Sequence, residues 1–172
     1  HLSLVSSFCE YTVVPSNGAI KIDQETSSEQ ACLLGCGALA GIGAALNTAE
    51  VRPGDSVAVF GCGGVGLSVV QGAKLCNALP IVAVDVRADK EAVARRFGAT
   101  HFVDASSGDP VAAVREITGG GADFTFEATG RTEIAELCYK ATRRAGTTVL
   151  IGQPTENAMA GFPPYWIAQD EN

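Results

Sequence analysis

Residues 57–67 read VAVFGCGGVGL, and residues 81–85 read IVAVD. A short apolar β-run leads straight into Gly61-x-Gly63-x-x-Gly66, and an apolar helical pattern (Leu67, Val70, Ala73, Leu75) follows before the second β-run. That strand, turn, helix, strand context is what a dinucleotide-binding fingerprint requires. Gly61 suits the tight turn out of the strand, Gly63 lets the backbone come close to a pyrophosphate, and Gly66 lets the helix pack against the strand. The pyrophosphate is expected at the helix N-terminus, where unpaired N–H groups and the positive end of the dipole favour an anion. Asp85 stands 24 residues after Gly61, near the ~20-residue offset at which an acidic side chain accepts from the adenosine ribose hydroxyls. Its charge would repel a 2′-phosphate, which favours NAD over NADP. Arg87, just past the second strand, keeps NADP open, because an arginine there can bind that phosphate.

Composition limits the alternatives. At 172 residues, 47% of them hydrophobic, the chain has enough apolar side chains for one buried core. Nineteen acidic residues against twelve basic ones give a net charge of −7 with no basic run, which argues against nucleic acid or an anionic membrane as a partner. Gly, Asn, Glu or Asp interrupts every apolar stretch before the ~18 residues of a spanning helix, so none is expected. The start, HLSLVSSFCEYTVV, has neither the basic nor the continuous apolar region of a secretory signal. Position 1 is not Met, and the single Met is Met159, so the chain reads as a processed product or a piece of a longer protein. The cysteines at 9, 32, 36, 62, 76 and 138 form no C-x-x-C pair and no disulfide-scaffold spacing. They fit a reducing compartment, hence a cytoplasmic location.

Three segments follow along the chain. Residues 8–22, FCEYTVVPSNGAIKI, hold two short β-runs around a Pro-Ser-Asn-Gly turn, and residues 1–25 read as the remnant of a β-rich domain. Thr26 and Glu29 form a capping box, so a helix is expected from near Ser27 through the apolar stretch ending at Ala49. Gly35, Gly37, Gly41 and Gly43 within it point to close backbone contact, a break or a ligand. Residues 26–155 read as a nucleotide-binding domain, with strands at 57–60, 81–85, 101–103, 123–127 and 147–151 and helices at 65–76, 88–97, 110–117 and 132–143. Such alternation predicts an α/β fold, a doubly wound parallel sheet of the Rossmann type, with strand ends near 61, 85, 128 and 151 along one ligand-binding edge. The tail at 156–172 supplies no sixth strand, so the sheet is expected to be truncated there.

From Phe8 to Pro154 the sequence resembles the medium-chain zinc-dependent alcohol dehydrogenases. The resemblance is carried by FCEYTVV (8–14), LLGCGALAGIGAA (33–45), RPGDSVAVFGCGGVGLSVVQGAK (52–74), VDVRADK (84–90), FGATHFVD (97–104), GGGADFTFEATGR (119–131) and VLIGQP (149–154). The CGALAGIGAA variant is closer to the thiol-adduct formaldehyde and aryl-alcohol branches. The resemblance implies a bound nicotinamide cofactor, a zinc that polarises the alcohol oxygen, and hydride transfer between a small alcohol or aldehyde and NAD.

By the same resemblance, Gly61, Cys62, Gly63, Gly64, Val65 and Gly66 form the pyrophosphate loop, with Val65 also towards the nicotinamide. Asp85, Val86 and Lys90 serve the ribose, Ala128, Thr129 and Arg131 the adenosine side, and Ile151, Gly152 and Gln153 the nicotinamide side. Cys36 matches a zinc ligand, while the other two ligands belong to a segment that this chain lacks. Cys36 alone therefore reads better as a free thiol, and the isolated chain as a cofactor binder of little activity. His101, opening the third strand, is given a structural role. Ala40 stands where many members of the family have a threonine beside the nicotinamide. The intact parent is expected to be a homo-oligomer. Two other readings remain: a zinc-independent quinone or enoyl reductase of the same fold, against which Cys36 and Asp85 argue, and a non-catalytic NAD-binding module.

Overall fold

A computed structural model describes residues 7–163. The chain divides into two compact units, His1–Leu33 and Leu34–Asn172.

The described part of the first unit contains a single 3-10 turn at Ser16–Gly18 and the helix α1, Ser28–Leu33. The two β-runs expected within 8–22 do not form strands. Phe8, Tyr11, Val13 and Ile20 are exposed, and β-propensity without a neighbouring strand to complete the ladder leaves the backbone irregular. The helix start is displaced by one residue from the expected capping box. The Ser27 hydroxyl accepts from Gln30 N at 3.4 Å, so Ser27 and Gln30, rather than Thr26 and Glu29, occupy the cap and third helical positions.

In the second unit, five parallel strands form one sheet in the order β3-β2-β1-β4-β5. They are β1 Val57–Phe60, β2 Ile81–Asp85, β3 His101–Asp104, β4 Ala122–Glu127 and β5 Thr142–Leu150. The helices are α2 Leu39–Gly43, α3 Gly64–Leu75, α4 Glu91–Phe97, α5 Pro110–Thr118 and α6 Thr132–Ala141. The Rossmann-type α/β fold and its five-stranded sheet match the sequence reading. The period of two along each strand then builds two cores. Val57, Val59, Ile81 and Ala83 face one, with Val69, Val70 and Ala73 of α3. Ala58, Phe60, Val82 and Val84 face the other, with Val114 of α5 and Cys138 of α6. The continuous apolar runs of the central strands β1 and β2 are what a sheet covered on both sides demands.

Two boundaries depart from expectation. α6 stops at Ala141 instead of 143, and β5 begins at Thr142. Thr142 pairs with Ala122 while Thr147 pairs with Phe124, so extra residues bulge from β5 around Ala145, whose φ is 55°. The bulge brings Arg143 to the Asp123 carboxylate at 2.5 Å, and Asp123 also accepts from Ser56 N and Oγ at 2.7 and 2.6 Å.

The helical run Ser28–Thr48 spans 21 residues with a mean hydropathy of 1.5. By length and composition it could cross a membrane, which corrects the expectation that no stretch reaches that length: glycine lowers the mean hydropathy of the run only slightly. Within this run Gly41, Ala44 and Ala45 are buried. A Cβ on Gly41 would lie 2.5 Å from Val65 O, and one on Gly72 would lie 2.9 Å from Ala45 Cβ. The glycines therefore permit close crossing of α2 and α3, a use that the fold of a globular domain explains.

The tail is seated on α6. Gly161 N donates to Glu136 Oε1 at 2.8 Å, and Phe162 packs edge-on against Tyr139 with centroids 5.3 Å apart. Residues 164–172 of that expected tail lie outside the described residues.

Candidate cofactor site

The strand register brings the predicted residues to one edge. Phe60 stands beside Val84 and Glu127, and Glu127 beside Leu150, so the loops after β1, β2, β4 and β5 all leave the sheet at its C-terminal edge. Between β1 and β4 the strand order reverses. This topological switch point is where open α/β sheets bind ligands.

The glycine loop occupies that point. Gly61 has a φ of +98°, and its N–H donates to Val84 O at 2.8 Å. A Cβ on Gly66 would fall 1.7 Å from Gly61 O, so only glycine lets α3 start this close to the strand. Gly63 and Gly64 are different, because a Cβ on either would meet nothing within 4 Å. Open space over exposed backbone at the first turn of a twelve-residue helix fits an approaching pyrophosphate, with the first-turn N–H groups free of intrahelical partners.

Asp85 closes the loop from the side. Its Oδ2 accepts from Cys62 N at 2.7 Å and its Oδ1 from Arg87 N at 3.0 Å. Each oxygen of an ionised carboxylate has two acceptor positions, so both retain capacity towards ribose hydroxyls. Cys62 itself is fully buried. Burial, and then the Asp85 charge, push its thiol up to about 12, with Lys90 opposing, which keeps the thiol protonated and unreactive in this setting. Val86 is exposed, and Lys90 ends the 3-10 turn Ala88–Lys90. Arg87 is engaged by Asp89 through two bonds, of 3.0 and 2.6 Å.

The loops after β4 and β5 meet each other. A Cβ on Gly152 would lie 2.0 Å from Gly130 N, one on Gly130 would lie 2.7 Å from Gln153 O, and one on Gly61 would lie 2.6 Å from Thr129 Cγ2. Ala128 and Thr129 thus lie against Gly61, while Gly152 and Gln153 lie against Gly130. Arg131 pairs with Glu133 at 3.2 Å on the surface. Beneath them lies a residue that the sequence reading passed over. Glu127 is 2% exposed, and its Oε1 accepts from Thr129 N at 2.6 Å, from Gly130 N at 3.0 Å and from the Thr129 hydroxyl. A charged residue ending the strand directly after Phe124-Thr125-Phe126 and before Ala-Thr-Gly is the available signal.

Cys36 lies in a π-helical turn, Leu34–Ala38, and is exposed. A Cβ on the adjacent Gly37 would be 3.9 Å from Val65 Cγ2, so this turn runs beside the start of α3. A catalytic zinc takes three protein ligands. Among the described residues no three His, Cys, Asp or Glu side chains converge, so Cys36 does not make a zinc centre with them. Ala40 is exposed. His101 is also exposed, with Nδ1 2.9 Å from Thr100 Oγ1. A surface groove of about 510 Å³, lined by Ile42, Lys74, Leu75, Asn77, Arg96 and Phe97 among others, lies at the far end of α3 from the glycine loop.

The profile of a family described as zinc-binding dehydrogenase matches residues 64–170. The chain is 47% identical over 161 residues to S-(hydroxymethyl)glutathione dehydrogenase of Saccharomyces cerevisiae, covering 88% of this chain and 41% of that protein. Its fold superimposes on benzyl alcohol dehydrogenase from Acinetobacter calcoaceticus with a TM-score of 0.90 and 35% identity, over 96% of this chain and 46% of the other. A zinc-binding dehydrogenase from Sinorhizobium meliloti 1021, bound to NADP, is 30% identical with a TM-score of 0.71, over 79% of this chain and 41% of its own. The chain spans less than half the length of each of these relatives. A profile match over more than half of its residues, on a sheet whose glycine loop sits at the switch point, establishes that the chain belongs to the zinc-binding dehydrogenase family.

Proposed function

We propose that this chain is the NAD-binding domain of a zinc-dependent alcohol or aldehyde-adduct dehydrogenase. The observation that carries this reading is the Gly61–Gly66 loop, open over Gly63 and Gly64 and tied to Asp85 by the 2.7 Å bond from Cys62 N. The N–H groups of the first turn of α3 bind the pyrophosphate, Asp85 accepts from the adenosine ribose, and the 151–153 loop lines the nicotinamide side. Bound NAD supplies the hydride acceptor for the alcohol carbon. Lys90, exposed in part beside the ribose pocket, adds a positive charge there.

The preference for NAD over NADP rests on charge. A 2′-phosphate would meet the Asp85 carboxylate, and the Arg87 guanidinium that could balance it is held by Asp89. The NADP-bound Sinorhizobium relative favours the other choice. Calorimetric titration of the chain with NADH and NADPH decides between them. Tighter NADH binding is the expected result, and equal or tighter NADPH binding overturns the preference, while binding of neither removes the reading.

The substrate is a small alcohol or aldehyde, and the zinc ligands besides Cys36 belong to other parts of the parent enzyme. The parent is a homo-oligomer, and cysteine usage favours the cytoplasm.

A further inference from the structure

Glu127 is the one fully buried carboxylate among the described residues near the site, and burying a charge is a poor way to stabilise a sheet. An ion in the interior costs several kcal/mol, and an apolar side chain at the end of β4 would serve the core as well or better. What the carboxylate does instead is collect donors. Two backbone N–H groups and one hydroxyl of the 128–130 loop point at Oε1, with Oε2 a further 3.2 Å from Gly130 N. The main chain of the same residue holds the other loop, because Glu127 O accepts from Ile151 N at 2.9 Å and from Gly152 N at 3.1 Å. Gly152 has room only for hydrogen at its α-carbon, since a Cβ would lie 2.5 Å from Glu127 Oε2. The β4 loop in turn leans on Gly61 through Thr129 Cγ2.

We propose that Glu127 is a positioning residue for cofactor binding, its carboxylate and carbonyl together holding the 128–130 and 151–153 loops at a fixed separation against the glycine loop. The inference rests on the dinucleotide-binding reading, and it assigns to Glu127 the pre-organisation of two walls that receive opposite halves of one ligand. A carboxylate is needed because its oxygens only accept. A glutamine can keep its carbonyl oxygen at the Oε1 position, but its NH₂ then stands in place of Oε2, 3.2 Å from Gly130 N, which sets donor against donor in the interior. A 128–130 loop loosened in this way must be ordered again at each binding event, which weakens affinity without any change in the groups that touch the ligand.

The test is a double-mutant cycle on the whole chain, with NADH as the probe and its dissociation constant as the readout. The variants are Glu127→Gln, Thr129→Val and the pair, and each is checked for folding by near-ultraviolet circular dichroism. Wild-type binding is measured first, and its absence would remove the functional reading, and this inference with it. With binding present, Glu127→Gln should weaken NADH by roughly tenfold, and Thr129→Val should add little once Glu127 is gone. Binding within twofold of wild type by folded Glu127→Gln, with only its thermal stability lowered, would show a merely structural role and overturn the proposal. So would effects of the two substitutions that simply multiply. Should Glu127→Gln not fold, amide exchange on the wild-type chain without cofactor decides. Slow exchange at Thr129, Gly130, Ile151 and Gly152 supports the anchoring, and exchange as fast as in an unstructured peptide refutes it.

Discussion

Asp89 and Arg87 lie side by side on the rim of the proposed ribose pocket, paired by two bonds with both side chains more than 60% exposed. Hydrogen bonding to Asp89, and then its charge, raise the Arg87 guanidinium further above its already high value. The pair is weak, as exposed pairs are, yet it decides where the guanidinium points. Asp89→Ala should therefore improve NADPH binding by roughly threefold and leave NADH within about twofold, as read by titration with both. No change for NADPH would show that a freed Arg87 does not reach the 2′ position. The glycines of the loop give a second contrast. Gly66→Ala places a Cβ 1.7 Å from Gly61 O and should cost on the order of 3 kcal/mol in thermal unfolding. Gly63→Ala meets nothing within 4 Å at a φ of −80°, so the melting temperature should hold while NADH affinity falls roughly tenfold or more. Equal stability losses in the two variants would contradict this division between packing and ligand space.

At the opposite edge of the sheet, β1, β4 and β5 are joined by one side chain. Burial opposes ionisation of Asp123, but the Ser56 hydroxyl and amide and the Arg143 guanidinium outweigh it and hold the carboxyl below its ordinary value. A carboxyl with a depressed folded-state pKa lends its stability above the unfolded value, and that stability is lost as pH falls through the folded value. Asp123→Asn should thus lower stability by about 1–2 kcal/mol at neutral pH and flatten the acid side of the stability profile below about pH 4. Denaturant titrations from pH 2.5 to 7 measure both, and an unchanged acid limb would remove Asp123 from the account. The bulge that delivers Arg143 also explains why α6 ends before the expected residue 143. TRRAGT (142–147) has no apolar period to separate a last helical turn from an irregular strand start, and Thr142 joins the strand because its hydroxyl bonds those of Thr125 and Thr148 at 2.8 Å each.

For the molecule as a whole, the sheet has two unpaired sides among the described residues, since β3 pairs only with β2 and β5 only with β4. The described tail rests on α6 through Gly161 and Phe162. Leu150, at the end of β5, is 54% exposed. Such an edge offers unpaired N–H and C=O groups to a second copy, so the chain should self-associate as its concentration rises. Sedimentation velocity across a hundredfold concentration range is the measurement, with Leu150→Lys expected to shift the population towards monomer. A wild-type monomer at every concentration would mean that the β5 edge is already covered.

The sequence by itself determined the alternation of strands and helices, the glycine loop and the Asp85 position, because each is written in neighbouring residues: period two, period 3.6, and glycines at fixed offsets. It also placed the ends of β1, β2, β4 and β5 on one edge, since right-handed crossovers leave a parallel sheet little choice. Only the tertiary structure decided what lies between those ends. The burial of Glu127 depends on loops at 129–130 and 151–152 closing over it, and the Asp123 cluster joins residues 67 positions apart. The β-runs of 8–22 had the propensity for strands but not the partners. Propensity is a property of the residue and its neighbours along the chain, whereas burial, pairing and a partner for a charge are properties of what the fold brings alongside.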